Sequence, residues 1–79
     1  MKTALIHESV RAGRAWWSME LGCCDAVACG LKSRNEALAS LKRTMEHRGM
    51  KVVVVHTVLA TGEASTQKWH VSALPSSWD

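Results

Sequence analysis

One amphipathic helix is written into the middle of the chain, and it limits what the rest can become. Ser33-Arg34-Asn35-Glu36 has the spacing of a capping box, with Ser33 as N-cap and the Glu36 carboxylate three residues on. Leu38, Leu41 and Met45 follow at helical spacing, flanked by Ala37 and Thr44, so they form one apolar stripe. Gly49 stands where a left-handed C-terminal cap is wanted, and Met50 is placed for the apolar contact just beyond it. The spacing predicts a helix from about Arg34 to Arg48.

The segments on either side alternate with the period of strands. Residues 2–10 place Ala4, Ile6 and Val10 on one face and Leu5 and His7 on the other. Arg11-Ala12-Gly13 is a hairpin turn, because Gly13 adopts positive φ at little cost. In residues 14–21, Trp17, Met19 and Leu21 make an apolar face; Trp16, Ser18 and Glu20 make the opposite, mostly polar one. A turn at Gly22–Asp25 leads to a short third strand, Ala26–Gly30. After the helix, residues 51–60 are rich in β-branched side chains. Their four consecutive valines predict a strand largely covered on both faces near its start. Thr61-Gly62-Glu63 marks a turn, residues 65–73 return with Trp69, Val71 and Ala73 on one face, and residues 74–79 form a tail.

These readings combine into a single α+β domain over residues 1–79. The expected architecture is an antiparallel sheet of four to five strands in the order βββαββ, with one helix packed on one face. A lone helix covers only one side of such a sheet. The other side must face water or a partner. Since chain neighbours on a strand point to opposite faces, a core position for Trp17 sends Trp16 to the bare side.

Composition narrows the function classes. A chain of 79 residues has a thin stability margin and often leans on a disulfide, a metal or a second subunit. Three cysteines, Cys23, Cys24 and Cys29, cannot all pair internally, and the segment before Glu8 is too short for a signal peptide. Both features predict a cytoplasmic protein with free thiols. The chain has no run of 18 apolar residues, so no membrane span is expected. Vicinal Cys23-Cys24 is not zinc-ligand spacing, and His7, His47, His56 and His70 include no His-x3-5-His pair. No metal or other cofactor is expected. The chain shows no nucleophile–base motif and no phosphate-binding glycine loop, so a non-enzymatic role is expected.

The candidate partner-binding residues are Trp16, Glu20, His7 and Trp78, with the Thr61-Gly62-Glu63 turn as a rim and Glu63 as its charged member. Tryptophan is enriched at binding hot spots. A net charge of +3 also permits nucleic acid. The candidate contacts for that alternative are Lys32, Arg34, Lys42, Arg43 and Lys51, although on a helical wheel the basic residues scatter and Glu36 and Glu46 interrupt the outer face. A homodimer, formed through the bare face or an edge strand, is compatible with either reading.

Trp17-x-Met19-x-Leu21, Ala26-x-Ala28 and Ser33-x-x-Glu36-Ala37-x-x-x-Leu41 together resemble the strand–strand–helix modules of small bacterial and phage proteins, anti-CRISPR proteins among them. The resemblance covers residues 14–49 and carries over no functional residue. It implies a phage-encoded inhibitor that acts by steric occlusion of a host protein or nucleoprotein complex.

Overall fold

The computed structural model describes residues 2–22 and 26–75. Five strands and one helix follow in the order β1 (Lys2–Arg11), β2 (Arg14–Leu21), β3 (Ala26–Leu31), α1 (Arg34–His47), β4 (Val52–Val58) and β5 (Ala64–His70), and a short 3-10 turn closes at Val71–Ala73. The class is α+β, and the strands form one sheet in the order β3-β2-β1-β4-β5.

The sheet is mixed, which corrects the antiparallel expectation. β1 and β4 lie side by side in parallel, with Ala4 opposite Val55 and Ile6 opposite Thr57. The reason is the connection. β3 is antiparallel to β2, and β2 to β1, so β3 runs with β1. A helical crossover then returns the chain in the direction it left, as parallel pairing requires.

Local chemistry sets each boundary. The β1–β2 hairpin closes on Ala12 at φ 52° and Gly13 at φ 76°, the two positive values that a tight two-residue hairpin turn needs. Ser33 Oγ accepts from the Glu36 N–H at 3.0 Å, which is the N-cap bond of the box, and Glu36 Oε2 accepts from the N–H of Lys32, the residue before the N-cap, at 3.0 Å. At the other end Gly49 donates to Glu46 and Met50 donates to Met45, with Gly49 at φ 70°. This is the Schellman arrangement that the Gly49-Met50 pair predicts.

The core lies between α1 and one face of the sheet. Ala4 and Ile6 on β1, Trp17, Met19 and Leu21 on β2, and Val53 and Val55 on β4 are buried together with Ala37, Leu38, Leu41 and Met45 of the helix. The helix rests on β1, β2 and β3. Val71 and Leu74, beyond β5, complete the same cluster. Two expectations change here. The β4 valines alternate, Val53 and Val55 buried, Val52 and Val54 half-buried, so one face of that strand is bare. The last strand stops at His70, and the 3-10 turn folds Val71 inward while Ala73 stays exposed.

Candidate functional site

On the bare face the register aligns side chains from four strands. His7 sits opposite Ser18, Ser9 opposite Trp16, and Arg11 opposite Arg14. Leu5 lies between Glu20 on β2 and His56 on β4. His56 Nδ1 is 2.8 Å from Thr66 Oγ1 on β5. The centre of this face is semi-apolar, with Leu5, Val52, Val54 and Val58 half-buried.

Trp16 is half-buried and borders two recesses. The first, of about 510 Å³, is lined by His7, Ser9, Arg11, Trp16, Trp17, Ser18, Cys29 and Gly30. The second, of about 350 Å³, is lined by Arg14, Ala15, Trp16 and Lys32. Irregular pairing makes the wall of the first. Between Trp17 and Met19 on β2, β3 advances from Leu31 to Ala28, so one extra residue is inserted. Gly30, at φ 71°, allows this bulge, which sets Cys29 and Gly30 beside Ser18.

The charge around Trp16 has one sign. Arg11, Arg14 and Lys32 are exposed and line its two recesses, and among the described residues no carboxylate lines either one. Glu20 shares the face, but it is four residues along β2 from Trp16, about 13 Å at strand rise. Glu8 points to the opposite side, where its Oε1 accepts from the Ala60 N–H at 3.0 Å. Cation clustering about a half-exposed indole is therefore built by the hairpin and by the residue after β3.

The structure distributes the other sequence-predicted residues. His7 lies in the first recess; Glu20 is exposed further along the same face. Glu63 is remote from Trp16, in a shallow depression with Arg34, Thr57 and Leu59 on the helix side of the sheet. Trp78 lies outside the described residues. Of the basic set, only Lys32 reaches Trp16. Arg34 is beside Glu63, Lys42 and Arg43 lie along the helix with Arg43 Nη2 donating to Ser40 Oγ at 3.5 Å, and Lys51 is at the far end with Glu46 and His70. His56 and His70 are four residues apart along the β4–β5 ladder, opposite Thr66 and Val52 respectively, and do not meet.

Arg11 and Arg14 escape a reading of the sequence that assigns Arg11 to a turn and reads Arg14 only as the start of a strand. Their signal is parity: Arg14 is two residues before Trp16, and a two-residue turn places Arg11 opposite it. Among the described residues no three of His, Cys, Asp or Glu come together as a metal site, and no helix is long and apolar enough to cross a membrane. Cys29 is a free, exposed thiol. No family model matches the chain, and neither a curated protein nor a solved structure shows significant similarity to it.

Proposed function

We propose that this protein is a non-enzymatic binding module, that the bare sheet face around Trp16 is its working surface, and that its partner is a nucleic acid. The observation that carries this reading is the grouping of Arg11, Arg14 and Lys32 about one half-exposed indole, with no acid among the described residues lining either recess. Side chains that served only solubility would gain nothing from this arrangement. Opposed like charges such as Arg11 and Arg14 are mildly destabilising across a strand pair. An anionic partner removes that penalty and releases counterions as it binds.

A mobility shift with mixed-sequence DNA and RNA tests the reading. Retardation at low salt is expected, falling steeply as salt is raised. Absence of retardation at the lowest salt at which the protein stays in solution overturns it.

Occlusion of a host protein is the second reading. The half-buried Leu5, Val52, Val54 and Val58 on the same sheet face favour it, since they give this face an apolar centre that a protein partner would cover. A purified host protein that binds the wild type but not Trp16→Ala, with nucleic acid failing to compete, is the outcome that would replace the first reading by this one.

A further inference from the structure

Resting on the nucleic-acid reading, we infer that the Trp16 surface takes a single strand, with an unpaired base stacked on the indole and the flanking phosphates held by Arg11, Arg14 and Lys32. Three features of the site separate a single strand from a duplex.

The first is the location of the aromatic group. Trp16 lies within a strand of a sheet, half-buried and bordering two recesses. A duplex keeps its base faces stacked, so an indole held against a sheet meets only its backbone. A single strand offers a base face at every nucleotide, and stacking on aromatic side chains is how sequence-tolerant single-strand binders gain affinity.

The second is the lack of a groove reader. Major-groove recognition uses a helix or a projecting two-stranded ribbon. α1 buries its apolar stripe against the sheet, and its exposed side mixes Arg43 with Glu46 and His47. The β1–β2 hairpin extends past β3 and β4 by only three residue pairs, Ser9–Trp16 to Arg11–Arg14, before its tight turn, a short ribbon and not a long arm.

The third is the placement of charge around the ring. Arg11 lies with Trp16 in one recess and Arg14 and Lys32 in the other; the arginine pair is at the hairpin end of Trp16, and Lys32 follows β3 on its far flank. The Arg11 and Arg14 Cβ atoms are cross-strand neighbours, about 5 Å apart in such pairs. The phosphates flanking a stacked base would meet the arginine pair at the hairpin end and Lys32 beside β3. Ser9 and Ser18, lining the first recess, supply hydroxyls that both donate and accept, and so impose little sequence preference. Glu20 sets the limit of the path along β2.

The experiment uses the full chain and fluorescein-labelled oligothymidine of about 12 nucleotides, within the site sizes of single-strand grooves. A DNA duplex of equal length and an oligouridine run beside it, read by fluorescence anisotropy. Single strands are expected to bind more tightly than the duplex. Trp16→Ala should weaken single-strand binding by about 5- to 150-fold, the range for loss of one stacked base, while Trp16→Phe retains most of it. The Arg11→Ala/Arg14→Ala/Lys32→Ala variant should lower the log–log salt slope by about 0.7 for each lost phosphate contact, about 2 for all three. Matched melting temperatures for wild type and Trp16→Phe keep the comparison interpretable if Trp16→Ala is less stable. Equal binding of duplex and single strand, with Trp16→Ala unchanged, overturns the stacking inference while leaving the nucleic-acid reading in place. Failure of every oligonucleotide to bind at low salt overturns both.

Discussion

On the helix side of β2, Trp17, Met19 and Leu21 are sealed beneath Leu38, Leu41 and Met45; on the other side of the same strand, Trp16, Ser18 and Glu20 meet solvent and shallow recesses. The two indoles are chain neighbours of identical chemistry. Trp17 retains only 9 % of its exposure and belongs to the core cluster, whereas Trp16 is half-open and outside it. The contrast separates two uses of the same side chain. On one face an indole supplies volume that holds a small domain together; on the other it supplies a surface with little role in folding.

The sharpest way to break this contrast is to truncate both indoles. Trp17→Ala should cost about 3–5 kcal/mol of unfolding free energy, the range for removing a large aromatic from a core. Small domains have about 5–15 kcal/mol in all, so this variant should be largely unfolded at modest urea. Trp16→Ala should cost under about 1 kcal/mol, as surface substitutions generally do. Equal losses in urea titrations of the two variants would erase the distinction between the faces.

Leu41→Ala should be next, at about 2–5 kcal/mol, because Leu41 is fully buried where the helix meets the sheet. A loss below about 1 kcal/mol by thermal or chemical denaturation would mean that the helix contributes less to the covered face than its burial implies. Ser33→Ala should cost about 1 kcal/mol by removing the acceptor for the Glu36 N–H, with the loss read from the same titrations and Ser33→Asp expected to restore it. The smallest effect belongs to the bare face. Thr66→Val removes the hydroxyl 2.8 Å from His56 Nδ1, in an exposed setting, and should cost about 0.5 kcal/mol. A cost above that of Ser33→Ala would show that the bare face also carries stability.

What could be read in the sequence follows from which interactions are local. The helix was fully specified, because a cap, a stripe and a terminating glycine all lie within residues 33–50, and each acts over a single turn. The faces of β1 and β2 were legible because alternation needs only the strand itself. The orientation of β4 was not, since a run of valines satisfies parallel and antiparallel ladders alike. That run also concealed the bare side of β4, because valine tolerates half-burial as readily as the core. At the candidate site Trp16 and His7 were legible by parity. The Arg11–Arg14 pair was not, since Arg11 reads as part of the turn and so has no strand partner in Arg14. The wall formed by Cys29 and Gly30 depends on a bulge, which nothing in a short strand announces except its glycine.

The parallel pairing of β1 with β4 also determines when this molecule can become itself during synthesis. The β1–β2 hairpin and the start of β3 leave the ribosome early and need only near neighbours. The middle of the sheet closes only when residues 53–58 arrive to dock against residues 2–7, a span that includes every other secondary structure element except β5 and the 3-10 turn. Such distant closure is entropically slow. Until it happens, β1 is an unpaired border with Ala4 and Ile6 inadequately sheltered, so a nascent or truncated chain ending before Val52 carries an adhesive edge that the finished protein hides at its centre.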